Sequence, residues 1–440
     1  MEEQDIYRLI KEWDVKFVRL QFIDIMGVNK NVAITLDELP RALAGEIMFD
    51  GSSIEGFARI QESDMYLRPD LETFAIFPWR PRPGAVARLI CDVYTPGGRP
   101  FSGCPRFILR RCIQEAADMG FSVEAGPEPE FFLFQLGEKG QPTTITHDQG
   151  SYFDLAPTDQ GEDARRDIVL HLEKMGFSVE SSHHEVAPGQ HEIDFKYAPA
   201  LKTADNISTF RLVTKVVAKA HGLHATFMPK PLHGIAGSGM HIHQSLHCNG
   251  ENAFFDPNSA DGLSSTARHY IGGILHHARS FTAITNPLIN SYKRLVSGFE
   301  APIYVSWSGA NRSALVRIPA ARGNGTRLEL RSPDPSANPY LALAVNIKAG
   351  LEGIRKKIEP GPQTSNNIFT MTGEEKAGMG IAELPRSLEE ALNCLEKDPV
   401  ICSTLGEHIR DRFIDAKRME IAEYREVVHD WELDRYLQIY

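Results

Sequence analysis

Between residues 3 and 13 the stretch "EQDIYRLIKEW" repeats apolar side chains at three- and four-residue spacing, which predicts a short amphipathic helix. The period then changes. "KFVRLQFIDIMG" alternates apolar and polar positions before a glycine, as a strand and turn do, and "TFAIFPW" and "VARLICDVY" read as further strands. Gly, Pro and Ser concentrate in "TPGGRPFSGCPR", residues 95–106, where Pro105 stands at a place a helix can begin. A domain boundary is expected there, dividing the chain into residues 1–104 and 105–440.

A weak internal repeat follows. The helical run from Arg106 to Met119 and the run from Asp163 to Met175 both end in "MGFSVE", a glycine suited to a helix C-cap and then a strand. Each copy leads within a few residues to glutamates, Glu128 and Glu130 after the first and Glu185 after the second. From about Leu341 helical spacing dominates, in "NPYLALAVNIKAGLEGI", "SLEEALNCLEKD" and "DAKRMEIAEYREVVHDWELDRY". Short strands mixed with separate helical runs indicate an α+β fold.

Composition narrows the function classes. The 440 residues carry 47 Lys+Arg against 58 Asp+Glu, a formal charge of -11, which argues against general nucleic-acid binding. Six scattered cysteines form no CxxC pair, so a reducing compartment fits. The N-terminus lacks an apolar run of signal-peptide or membrane-spanning length, and a cytoplasmic protein with no membrane partner is expected.

The chemistry gathers in four segments. In "GPEPEFFLF", residues 126–134, strand alternation sets Glu128, Glu130, Phe132 and Phe134 on one face. In "HHEVAPGQHEIDF", residues 183–195, a two-residue turn at Pro188 and Gly189 would place Glu185 opposite Glu192, an unfavourable pairing of like charges unless a cation lies between them. "GSGMHIHQSL" puts His241 and His243 on one strand face, and "TRLELRSPDPSANPY" lines up Arg327, Glu329 and Arg331 opposite buried leucines. Glu128, Glu130, Glu185, Glu192, His241 and Glu329 form a carboxylate-rich ligand set without thiolate, which favours two or more Mg²⁺ or Mn²⁺ ions over zinc.

Between residues 290 and 335 the charge reverses, with Lys293, Arg294, Arg312, Arg317, Arg322, Arg327 and Arg331 against Glu300, Glu329 and Asp334. Guanidinium forks suit carboxylates and phosphates. An acidic metal box beside an arginine wall is the combination phosphoryl transfer from a nucleotide requires. Neither a P-loop nor a Rossmann glycine fingerprint is present, so phosphate is left to metal and arginine.

"FDGSSIEGF", "GPEPEFFLF", "SHHEVAPGQHEID", "HATFMPKP", "GSGMHIHQSL", "NSYKRL", "NRSALVRIP" and "RSPDPSANPYLALA", in this order over nearly the whole chain, closely resemble the bacterial type I glutamine synthetase family. The resemblance implies a small N-terminal β-grasp domain and a large catalytic domain with a curved antiparallel sheet flanked by helices. It implies a dodecamer of two stacked hexameric rings, each active site completed by the neighbour's N-terminal domain. The implied reaction joins ammonium to the γ-carboxylate of L-glutamate through a γ-glutamyl phosphate made with ATP. Glu130, Glu185 and Glu192 match ligands of one metal, and Glu128, His241 and Glu329 those of the other. Glu180, His243, Ser245, Arg312 and Arg317 match nucleotide or phosphate contacts. Gly237, Arg294 and Arg331 match glutamate contacts. Glu300 matches a flap that closes over the intermediate and shares the glutamate site with Arg312, and Asp50 matches the group that binds ammonium and takes its proton.

Phe369 stands where adenylylated members carry tyrosine, so that control is expected to be absent. "SSIEGFARI" resembles the Gram-positive branch, in which the residue matching Arg59 takes part in feedback inhibition by glutamine and a MerR-type nitrogen regulator binds. Ala236 replaces a usual Asn and Ser297 a common Pro, which bears on glutamate binding and on flap mobility. Three readings stand at this point: a glutamine synthetase, a related ligase joining glutamate to a larger amine such as a polyamine, and a non-catalytic regulatory scaffold. Asp50 in its "DGSS" setting favours ammonium, and the intact ligand set disfavours the scaffold.

Overall fold

The computed structural model describes residues 1–54, 56, 64–80, 83–299, 301–364, 368 and 371–440. The Glu3–Glu12 helix turns Ile6 and Ile10 inward, as its spacing requires. It is followed by a five-stranded mixed sheet whose central strands, Val15–Ile23 and Ala85–Tyr94, run parallel. Asn29–Thr35 flanks the first of these, while Asp64–Ile76 and then Ile47–Asp50 flank the second. Asp50 ends the edge strand in an exposed position, its carboxylate accepting from Ser52 N at 2.9 Å.

The Pro105–Asp118 helix begins at the expected proline. Its Arg106 is 2 % exposed and ties the first sheet to the rest of the chain. The guanidinium donates to Asp70 (2.7 Å) and Asp92 (3.1 Å) of that sheet and to Asp205 (2.8 and 2.9 Å) of the Ala200–Ala220 helix.

The main sheet follows the order Trp307–Ser308, Val316–Arg317, Leu328–Leu330, Met240–Cys248, Ser122–Leu136, Gln190–Phe195, Val179–His184. Pairing is antiparallel from Val316–Arg317 to Val179–His184. The two "MGFSVE" copies have the same helix stop: Gly120 and Gly176 both adopt φ of 85°, and Phe121 N and Phe177 N reach back to Ala116 O (2.9 Å) and Leu172 O (3.1 Å). Their strands flank Gln190–Phe195, so the repeat supplies two sides of one sheet.

Alternation along Ser122–Leu136 sorts the two faces. Phe131 and Leu133 join the main core, where Phe131 meets Phe210 of the Ala200–Ala220 helix at 5.9 Å between ring centroids. Phe132 and Phe134 stack at 5.7 Å on the other face, packed with Ala187. Pro339–Lys356, Leu388–Glu396 and Pro399–Glu426, the last kinked at Gly406, supply the expected C-terminal helices, and helical structure stops at residues 427–429 before Asp430–Tyr436. Among the described residues no helix is long and apolar enough to cross a membrane.

Candidate active site

Strand register brings the acidic segments together. His241 lies directly opposite Glu128, Glu130 opposite Glu192, and His243 opposite Glu329. Glu329, Glu128, Glu130 and Glu192 therefore sit on neighbouring strands, with Glu185 in the turn that leads into Gln190–Phe195. The hairpin register differs from the sequence expectation: His184, not Val186, pairs with His191, and His183, not Glu185, pairs with Glu192. Pro188 and Gly189 do form the tight turn, closed by Gln190 N to Ala187 O at 3.0 Å, but Glu185 N bonds Gln190 O at 2.7 Å, so the connection is a four-residue loop, 186–189, two residues longer than expected. The Glu185 carboxylate still reaches the cluster, since potential ligand atoms of His183, Glu185 and Glu192 lie within 4.8 Å of one another.

Two further groups share that spacing, Glu128 with His241 and Glu329, and Glu130 with Glu192 and His241. Burial pushes the Glu130 carboxyl up to about 8, and Glu185 adds to the effect against the pull of Arg294. Burial, then Asp194 and Glu130, drives Glu192 well above the carboxylate range. Glu128 is the opposite case: against the penalty of burial, His241 (3.2 Å) and His243 (2.7 Å) hold it well below that range. Crowded carboxylates of which some resist ionisation suit a bound cation, and the oxygen-rich donor set, five carboxylates with the His183 and His241 imidazoles, fits a divalent metal.

Cationic groups ring the box. Arg317 and Arg331 both donate to Glu329, and Arg327 Nε donates to His243 Nδ1 at 3.1 Å. The buried Arg294 donates to the carbonyls of Ser332 (2.8 Å) and Arg331 (3.3 Å). Gly239 is required beside it, because a Cβ there would stand 2.5 Å from Arg294 Nη2. An open cleft of about 1330 Å³ is lined by Glu128, Glu192, Arg312, Arg317 and Glu329. A smaller pocket of about 410 Å³, lined by Gly237, Arg294, Gln190 and Ala236, shares Glu130, Glu185, His241 and Arg331 with it. A small polar pocket thus meets a larger open cleft at the carboxylate cluster.

The model of the glutamine synthetase catalytic domain matches residues 102–436, and that of the glutamine synthetase β-Grasp domain matches residues 14–96. The chain belongs to the glutamine synthetase family. It is 60% identical over 440 residues to the glutamine synthetase of Thermus thermophilus, covering 99% of each chain. It is 56% identical to that of Clostridium saccharobutylicum, covering 100% of this chain and 99% of the relative. Among solved structures it is similar to GmaS in complex with ADP (TM-score 0.89, 32% identity, 98% of this chain and 99% of that one). It is also similar to Plasmodium falciparum glutamine synthetase (TM-score 0.88, 26% identity, 99% of each).

Not every residue matched to the glutamine synthetase pattern lies at the cleft. Asp50, Glu180, His243 and Ser245 line neither cavity; Glu180 is exposed on Val179–His184, and His243 sits behind Glu128, bonded to it at 2.7 Å. Arg59, Glu300 and Phe369 lie outside the described residues. Sequence reasoning missed Gln190, whose Nε2 donates to Glu130 (2.8 Å) and to Gly237 O (3.2 Å), joining the acidic cluster to the small pocket. It also passed over His183, which bonds Glu185 at 3.0 Å and lies 3.2 Å from Glu192. The doubled histidine before Glu185 was the available signal.

Proposed function

We propose that the protein is an ATP-dependent glutamate–ammonia ligase that makes glutamine through γ-glutamyl phosphate. The observation that carries this reading is the meeting of a small arginine-lined pocket and a larger arginine-lined cleft at one cluster of carboxylates. Glu130, Glu185 and Glu192 would hold one divalent ion, and Glu128, His241 and Glu329 a second. Such ions supply charge neutralisation of phosphate oxygens and of the attacking carboxylate.

The chain's own groups do the rest. Arg294, Arg331 and the backbone at Gly237 seat glutamate with its γ-carboxylate toward the cluster. Glu180, His243, Ser245, Arg312 and Arg317 orient ATP, and the two arginines balance charge on the transferring phosphoryl group. A γ-carboxylate oxygen bonds to the γ-phosphorus as the bond to ADP breaks. Asp50 draws in ammonium and accepts a proton, the freed nitrogen attacks the acyl carbon, and the C–O bond to phosphate breaks. Glu300 closes over the intermediate and keeps water out. Asp50 sits on an exposed rim and lines neither cavity of its own chain, which supports a neighbouring subunit as its destination, in a dodecamer of two hexameric rings. Arg59 transmits feedback by glutamine, and the missing hydroxyl at Phe369 removes adenylylation.

The test traps the intermediate. With ATP, Mg²⁺, glutamate and hydroxylamine the protein should form γ-glutamyl hydroxamate with equimolar ADP. ADP formation that does not require glutamate would refute the acyl phosphate route.

A further inference from the structure

Behind the carboxylate cluster the Val179–His184 and Gln190–Phe195 strands turn their alternate side chains, His184 and His191, inward, and both are 0% exposed. They meet a second polar cluster that the proposed chemistry does not use. At its centre Asp148, 4% exposed, accepts three backbone N–H groups and touches two histidine rings. Oδ1 takes Gly189 N (2.9 Å) and Gly150 N (3.3 Å) and lies 3.2 Å from His184 Nε2, while Oδ2 takes Gln160 N (3.1 Å) and lies 3.0 Å from His147 Nε2. Gly189 is in the tight turn between Glu185 and Glu192. The other nitrogen of His184 donates to Glu185 O at 2.6 Å, and Glu185 N is held by Gln190 O at 2.7 Å. Both backbone polar groups of Glu185 are therefore fixed, one directly by the hairpin and one through a ring that leans on Asp148.

We infer that Asp148 is a positioning residue for the divalent-metal site: from beneath the sheet it sets the hairpin loop that aims Glu185 and Glu192 at one ion. The inference rests on the proposed role of those two glutamates as ligands. The four-residue loop 186–189 between them lies beyond the strand ladder and is tied from outside the hairpin at Gly189, whose N–H donates to Asp148 (2.9 Å) and whose carbonyl accepts from Leu133 N (2.8 Å). The residues around it also have the dimensions of a metal site, since candidate ligand atoms of His147, Asp148, Asp159 and His191 lie within 4.8 Å of one another. A guanidinium already fills that role. Arg165 Nη1 lies 2.8 Å from Asp159 Oδ2 and 2.9 Å from His191 Nδ1, so the cluster is balanced by a fixed organic cation.

Asp148→Asn separates positioning from folding. An amide has one accepting oxygen, so its NH₂ must face either Gly189 and Gly150 or Gln160, donor against donor. The assembled full-length protein is titrated with Mn²⁺ alone, without nucleotide or glutamate, alongside activity as a function of Mg²⁺ and an unfolding midpoint. The expected result is a rise of on the order of tenfold in Mn²⁺ dissociation constant and in Mg²⁺ half-saturation, with kcat recovered at excess metal. His147→Gln, which leaves the carboxylate on Gly189, is the second variant if Asp148→Asn does not assemble, and a smaller rise is expected. A lowered unfolding midpoint with unchanged metal constants in either variant would overturn the inference. One equivalent of zinc in the purified wild type, lost in His147→Gln, would overturn it in favour of a structural metal. A wild type that binds no Mn²⁺ would remove the ligand assignment itself, and the inference with it.

Discussion

Replacing Glu130 by glutamine should make the metal-free protein more stable while destroying its activity. The Glu130 carboxyl is fully enclosed by Glu185, Glu192, His241, Arg294 and Arg331 and titrates at about 8, against 4.5 when free. Between those values the folded chain binds the extra proton, so stability falls as pH rises from 4.5 to 8. At about 1.36 kcal/mol per unit, 3.5 units set a ceiling of about 5 kcal/mol, reached above pH 8, with about 3 kcal/mol at pH 7. Glutamine does not titrate, and its oxygen can still accept from Gly239 N and Gln190 Nε2, which hold Glu130 Oε2 at 2.9 and 2.8 Å. Contributions from Glu128 and Glu329, whose carboxyls are depressed, are common to both proteins and cancel in the difference, whereas Glu192, raised in part by Glu130, is relieved in E130Q and shifts the difference the same way. The assay is denaturant unfolding of chelator-treated wild type and E130Q at a series of pH values. The advantage of E130Q should be near zero at pH 4.5 and grow steadily to pH 8, and Mg²⁺ should stabilise the wild type more than E130Q, which keeps only one of the two proposed ligand sets, Glu128, His241 and Glu329, intact. A difference that is constant across this range, or an E130Q that is the less stable protein at pH 8, would refute the reasoning.

Gly239→Ala drives a methyl group against Arg294, and initial-rate kinetics should show KM for glutamate raised about tenfold or more with KM for ATP nearly unchanged. Arg106→Met leaves Asp92 and Asp205 without their shared cation and should cost about 3–5 kcal/mol in denaturant unfolding. Phe210→Ala empties a position packed edge-on against Phe131 and Phe227, and about 3–5 kcal/mol of stability should be lost with the metal dependence of the remaining activity unchanged.

Local periodicity carried much of this structure. Alternation in "GPEPEFFLF" sends Glu128 and Glu130 to the same face as Phe132 and Phe134, and the family match extends the reading over the whole chain. What alternation could not reveal is the four-residue loop 186–189 in place of a two-residue turn, because the ties that hold it come from Asp148 and Leu133, about forty and fifty-six positions from Gly189. Gln190 was missed for a related reason: a neutral amide carries no charge signature, and its value lies in reaching Glu130 and Gly237 O at once. Arg106 reads in sequence as one more arginine at a helix start. Only the tertiary fold brings Asp70, Asp92 and Asp205 around it.

The central claim is that ammonium is the amine joined to glutamate. The direct measurement is the product formed from glutamate, ATP and Mg²⁺ with ¹⁵N-ammonium in competition with methylamine and a polyamine, using wild type and Asp50→Ala. The account predicts ¹⁵N-glutamine as the dominant product, made with equimolar ADP and phosphate and lost in Asp50→Ala. Preferential incorporation of either amine, or ¹⁵N-glutamine formation that is indifferent to Asp50, would contradict it.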